Sequence, residues 1–359
     1  MILCQYEATV LGNQDAVWQC NLSHYGKPST HEVYIALQSL CEMVLKAQHH
    51  EKARSVAQDV ICQLKAWELT PREILSMTFF SSKEEPLPSF KEKLVDDERE
   101  FSPTVVQRFF QDVFGSEYHA DEWNVEIDPT RTGACVDVNL KTLSLPGKPF
   151  SLDKIRELLA EEIEVHAYRS MSGQRSPLAL LGSGLARYSA TEEGLAKYAV
   201  QQVSLAAHGE ERSKTWIGTL ATGLASGVLT PTLSFYELAN FLEKRFLIEK
   251  LLSSKSLAWD EAVTFAQQRA WAYAARTFRG VPHLGEAGCC SLKDTIYLRG
   301  YLTVKQKLEQ IEEQRLFVGK IGVDDLDAMS ELNILVPFYP RRHLAFAPDL
   351  LSRVCQYEK

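Results

Sequence analysis

No two of the eight cysteines are spaced as a CxxC pair, which excludes the common zinc-ribbon, thioredoxin-like and haem-attachment patterns. No stretch approaches the ~18 consecutive apolar residues of a membrane-spanning helix. No block of Lys and Arg appears either: 39 basic residues stand against 47 acidic ones, giving a net charge of −8 and a pI near 5.7. That balance lacks the basic footprint of a nucleic-acid-binding surface. The opening MILCQYEATVLGNQ has neither a basic n-region nor a sustained apolar core, so no signal peptide is expected. Internal repeats and low-complexity tracts are absent as well. The expectation is a cytoplasmic chain with no nucleic-acid or membrane partner, its cysteines reduced and mostly buried.

The chain is long enough, at 359 residues with 45% apolar side chains, to bury a large core as one domain or two. We expect a single catalytic domain over 1–359. A subdivision is possible at the Pro/Ser-containing loop near 81–90, with a mostly helical part before it and the core of the site after it. Residues 1–28 read as one or two short strands ending at the turn-rich 24–29. Helical spacing follows over 31–48 and 53–64, and Pro71 opens a further helix with Thr70 as its cap. A helix over 104–114 precedes two alternating segments, 123–128 and 135–140, which read as a β-hairpin. Residues 144–150 read as irregular. After residue 191, where Thr191 is placed as a cap, the pattern is almost entirely helical to 275, broken at 227–231. Another helix is expected after Cys290. The sum is an α+β fold, predominantly helical, with one small sheet.

The chemistry concentrates at 152–170, LDKIRELLAEEIEVHAYRS. Leu152, Ile155, Leu159 and Ile163 fall within roughly 80° of one another on a regular helix, forming one buried stripe. Glu162 and His166, spaced i,i+4, project onto that stripe. Burying a carboxylate and an imidazole there is costly unless a metal ion, a substrate or their mutual hydrogen bond satisfies them. Glu161 lies five residues before His166, about 140° away on a regular helix, so these two share a ligand only if the helix bulges. Glu192 and Glu193 supply acids farther along, where acidic residues also suit the first turn of a helix.

Several stretches together resemble a known family. They are EEIEVH at 161–166, SGQRSPLALLGSGL at 172–185, EEGLA at 192–196, RTFRG at 276–280, KDTIYLRG at 293–300 and LFVGKI at 316–321. In this order they are similar to the HExxxH, NGxQxPLxLLGxGL, QEGLA, RxFRG, KDxxYLxG and LFVGK motifs of the tyrosine carboxypeptidase family. That family includes the microtubule-associated enzyme, and its bacterial members are called flavohaemoglobin expression-modulating QEGLA-motif proteins. The resemblance runs from YGKPS at 25–29 to PFYP at 337–340.

The resemblance implies a gluzincin-like metallopeptidase with a small sheet beside the active-site helix. By position it makes Glu162 the general base and His166 and Glu193 metal ligands, with Glu161 standing as the remaining ligand of the triad. The first motif histidine is Glu161 here, and the Gln of QEGLA is Glu192. A carboxylate at the first position suits zinc less well and favours manganese or iron more. The resulting expectation is a metal-dependent carboxypeptidase-type hydrolase acting on a peptide or small amide with a free carboxylate. Arg279 and Lys293 would clamp that carboxylate, and Tyr297 would donate to the oxyanion. Two other outcomes follow from the altered motif: a tailoring enzyme of a peptide-derived product, or a relative that binds such a ligand without cleaving it. No basic extension suits docking on an acidic polymer, so a cytoskeletal partner is not expected. Cys289 and Cys290 read as two ordinary thiols in a bend. His119, His208, His283 and His343 have no ligand spacing of their own, though folding could bring one beside His166.

Overall fold

The computed structural model describes residues 6, 8–78, 99–208, 216–253, 258–334, 337 and 342–358. The loop expected at 81–90 therefore lies outside the described residues. The chain divides into two compact units. One comprises 1–83 with 213–299, the other 84–212 with 300–359.

Among its described residues the first unit contains helices and loops and no strand. Its helices are α1 (Gln14–Tyr25), α2 (Thr30–Ala47), α3 (Arg54–Ala66) and α4 (Pro71–Ser76), then α9 (Ile217–Ser226), α10 (Phe235–Ser253) and α11 (Trp259–Thr277). Helix α1 corrects the reading of 1–28 as strands. Asn13 caps it by accepting from the Ala16 N–H, Val17 is fully buried, and the buried Asn21 side chain accepts from the Leu292 N–H at 3.2 Å. Its apolar residues are too few to show helical periodicity, and packing decides in its place. Helix α2 starts as expected, with a reciprocal Ser29–Glu32 capping box. Pro71 opens α4, but the Thr70 side chain makes no capping bond. On α11, Ala262, Ala266, Ala270 and Ala274 are buried at four-residue spacing, a stripe of small side chains that packs against α10.

The second unit holds the sheet. It contains β1 (Glu100–Phe101), α5 (Pro103–Asp112), β2 (Asn124–Asp128), β3 (Cys135–Asp137), β4 (Thr142–Pro146), β5 (Phe150–Ser151) and α6 (Leu152–Leu158). A π-helical segment, Leu159–Ala167, continues α6 into α7 (Tyr168–Gln174), and α8 (Tyr188–His208) follows. Helix α12 (Thr295–Leu308) begins at the end of the first unit and continues in the second.

Strands β2 and β3 exist, but they do not form a hairpin. Each pairs with β4, which lies between them, parallel to β2 and antiparallel to β3. The stretch read as irregular, 144–150, thus takes in the end of the central strand, in which Leu143 and Leu145 are fully buried. Thr142, Leu143, Ser144 and Leu145 alternate over only four residues before Pro146 and Gly147, too short a run to stand out. Pro146 ends the strand, where a missing N–H costs the ladder least. Thr191 does not start a helix either: it lies within α8, and its hydroxyl accepts from the Val323 N–H at 3.0 Å.

Both units carry a large apolar core. In the second, Phe109, Phe110, Phe114, Trp123 and Leu145 pack with the α6 stripe, and Leu152, Ile155, Leu159 and Ile163 are at most 1% exposed, as the periodicity predicts. Helices α8 and α12 cross at Gly194 and Gly300, where a Cβ on either would strike the other's backbone or the Ala190 carbonyl. This crossing accounts for the glycines of the EEGLA and KDTIYLRG stretches. Of the described cysteines, Cys41, Cys289 and Cys290 are buried, Cys62 and Cys135 exposed, and Cys20 and Cys355 half-buried; all are free thiols, fewer of them buried than expected. Among the described residues no helix is long and apolar enough to cross a membrane.

Candidate functional site

The π-helical segment supplies the bulge that the motif spacing requires. Closure of i→i+5 hydrogen bonds over Leu159–Ala167 turns residues five apart toward one side, so Glu161 and His166 share a face. Opposite them runs the start of α8, which carries Glu192, Glu193 and, one turn later, Lys197. All these residues belong to the second unit.

Glu192 is the hub of a buried network. One of its oxygens lies 3.0 Å from His166 Nδ1 and accepts from Lys320 Nζ at 2.5 Å; the other accepts from Arg169 Nη1 at 3.1 Å. Arg169, fully buried on α7, also donates to the carbonyls of Leu316 at 3.0 Å and Ile321 at 2.6 Å. The LFVGKI stretch is thereby tied to the EExxxH helix, and Lys320 lies 5.2 Å from the Tyr188 ring centroid. Burial alone would raise the Glu192 carboxyl, but the His166 bond and the charges of Lys320, His166 and Arg169 outweigh it and hold the group at about 2. For His166, burial pulls downward; the Glu192 bond and the charges of Glu192, Glu193 and Glu162 carry it up to about 9.

Glu161 has a different partner. Lys197 Nζ donates to its Oε1 at 2.6 Å. Burial would raise the Glu161 carboxyl, but the Lys197 charge and hydrogen bond take it below the ordinary range. Glu162 is pushed up to about 7, chiefly by burial, with Glu161 and Glu193 adding to the rise. Burial raises Glu193 too.

The expected metal triad is not met at Glu161, which is bound by an ammonium group; His166 Nδ1 meets Glu192, a contact that a metal-bound histidine also makes through its second ring nitrogen. Among the described residues no group of three or more His, Cys, Asp or Glu side chains is arranged to hold a metal ion, and His119, His283 and His343 supply none. The side chain of His208 lies outside the described residues.

The other three expected site residues belong to the first unit. Arg279 donates to Asp294 Oδ1 at 3.0 Å and to Ser291 Oγ at 3.3 Å. Arg276 donates to Asp294 Oδ2 at 2.6 Å and to the Tyr297 hydroxyl at 3.2 Å. Lys293 is exposed. Asp294 is only 3% exposed, while its two arginines are about two-fifths exposed, so a pair of guanidinium groups shares one buried carboxylate. Sequence reasoning missed Arg276 and Asp294 here, and Lys197, Lys320 and Arg169 in the second unit. Arg276, Asp294 and Lys320 lie inside motifs that the sequence displayed; Lys197 was signalled only by its position four residues after Glu193. Burial pushes the thiols of both Cys289 and Cys290 upward, in keeping with unreactive side chains.

Compared with known families, residues 258–341 match the model of the microtubule-associated tyrosine carboxypeptidase. The matched segment contains RTFRG, KDTIYLRG and LFVGKI, while EExxxH and EEGLA precede it in the chain and lie outside the match. No curated protein matches the chain.

Proposed function

Proceeding from the match of residues 258–341 to a tyrosine carboxypeptidase family, we propose that this chain is a carboxypeptidase-type hydrolase of peptides or small amides that carry a free carboxylate. The match suggests peptidase chemistry. One observation supports Glu162 as the general base: its side chain is half-buried near Glu161 and Glu193 and its carboxyl is held at about 7, the range in which a base can take a proton from water and return it. The water oxygen bonds to the scissile carbonyl carbon as Glu162 takes its proton. The C–N bond then breaks as that proton passes to the leaving nitrogen. His166, kept protonated by Glu192, supplies positive charge for the oxyanion. No step here is routed through a metal, because Glu161, one of the three residues expected to hold it, is bound by Lys197. A cytoplasmic setting belongs to the same proposal.

The test is to incubate the full chain with peptides ending in a free or an amidated carboxylate, with and without chelator, and to follow product by mass spectrometry. Cleavage confined to the free-carboxylate series and lost in Glu162→Gln is the expected result. Undiminished turnover in Glu162→Gln would remove the base from the mechanism.

A second reading, binding of a carboxylate-ended peptide without cleavage, is favoured by the Lys197–Glu161 ion pair, which spends a motif position on an internal partner. Saturable binding of a peptide whose mass stays unchanged distinguishes it. A tailoring enzyme would use the same groups on another amide.

A further inference from the structure

We propose that Lys197 is the built-in cation of this site: its ammonium group takes the place that a divalent metal would hold beside Glu161, Glu162 and Glu193, and the chain neither carries nor needs a metal there. This goes beyond the peptidase reading, because it concerns which cation the acids hold, whatever the substrate.

Three observations carry it. Lys197 stands four residues after Glu193 on α8, on the same face of the helix. From there its Nζ reaches across to Glu161 Oε1 at 2.6 Å, and its charge also bears on Glu162 and Glu193. One ammonium group thus serves the two acids expected as ligands and the acid between them in the chemistry. The π-helical segment that would turn Glu161 toward a metal turns it toward Lys197.

Second, the acid beside Glu193 on α8 is taken by cations of the chain itself: Glu192 lies 3.0 Å from His166 Nδ1 and accepts from Lys320 and Arg169. Withdrawing Glu192 would leave two buried cations without their acid.

Third, the chain supplies its own cations to two of the acids: Lys197 pairs with Glu161, and His166, Arg169 and Lys320 with Glu192. A divalent ion placed among them would meet an ammonium group at its first ligand and would have to expel it into water. The exchange of an imidazole for Glu161 becomes intelligible in these terms: a carboxylate suits a lysine as an imidazole suits zinc.

The experiment uses the full chain purified without chelator or added metal. Metal content is read by mass spectrometry, zinc and manganese titrations by calorimetry, and the thermal midpoint with and without EDTA. For the wild type the expected result is well under one equivalent of metal and a midpoint that EDTA does not move. Lys197→Ala, which empties the cation position, is expected to bind zinc or manganese at least ~10-fold more tightly than the wild type. Glu161→His combined with Lys197→Ala is expected to take up about one zinc per chain and to gain a chelator-sensitive midpoint. A wild type that carries about one zinc or manganese, lost in His166→Ala, overturns the proposal; so does a folded Lys197→Ala that binds metal no better than the wild type. Should the variants not fold, the content and EDTA response of the wild type still decide. These readings need no substrate, so their failure is separate from a failure to find peptide turnover.

Discussion

The acid cluster around the π-helical segment and the arginine pair around Asp294 solve opposite problems. In the first, two acids hold four basic groups of the protein: Glu161 pairs with Lys197, and Glu192 alone holds the other three cations. In the second, two half-exposed guanidinium groups share one buried carboxylate, and an exposed Lys293 stands beside it in sequence. The closed set is suited to holding a reactive carboxyl out of water. The open one has positive charge to spare for an anion. Motif residues can therefore be present in both places and differ in what is left for a ligand.

The largest effect should come from removing the hub. Glu192→Ala leaves Lys320 and Arg169 buried and unpaired, and is expected to cost about 3–5 kcal/mol in urea unfolding. Asp294→Ala should cost less, about 1–2 kcal/mol, since its arginines can turn to water. Equal losses at the two positions would erase the distinction between closed and open sets.

Glu162→Gln is expected to lower turnover by ~10²-fold or more while slightly raising the thermal midpoint above pH 7, because a buried charge is removed. Stability should follow pH in a direction set by the same cluster. His166 is raised from 6.5 to about 9, so its contribution is complete below pH 6.5 and lost as pH rises through 9. Glu192 is depressed from 4.5 to about 2, so its contribution is present above pH 4.5 and lost as pH falls toward 2. Thermal midpoints measured from pH 3 to 10 should fall at both ends, and His166→Gln should flatten the alkaline fall. A fall that persists unchanged in His166→Gln would assign it elsewhere. The smallest effect is expected at Lys293→Ala, within about 0.5 kcal/mol of wild-type stability, with a raised KM for free-carboxylate peptides if that residue meets the substrate.

Some of this was legible from residue order. The apolar stripe of Leu152, Ile155, Leu159 and Ile163 is a local property of spacing, and the helix carries it. The Ser29–Glu32 box and Pro71 mark helix starts within a few residues. What failed was non-local. Residues 123–128 and 135–140 contain real strands, yet their common partner, β4, alternates over only four residues before Pro146 and Gly147. Helix α1 owes its place to burial of Val17 and to the bond between Asn21 and Leu292, 271 residues away. The five-residue spacing of Glu161 and His166 stated that a bulge was needed, and the π-helical segment provides one.

The amino-acid order by itself determined the helix stripe, the acids and histidine placed on and beside it, and the succession of motifs similar to a tyrosine carboxypeptidase family. Those are matters of periodicity and residue type within a few turns. Only the tertiary structure decided which charges those acids face. Lys197 comes from the next long helix and reaches Glu161, expected as a metal ligand; Lys320, from a stretch more than a hundred residues further on, reaches Glu192, the neighbour of the expected ligand Glu193. Side-chain identity tells which groups can bind a cation; packing determines whether a cation of the protein's own arrives first.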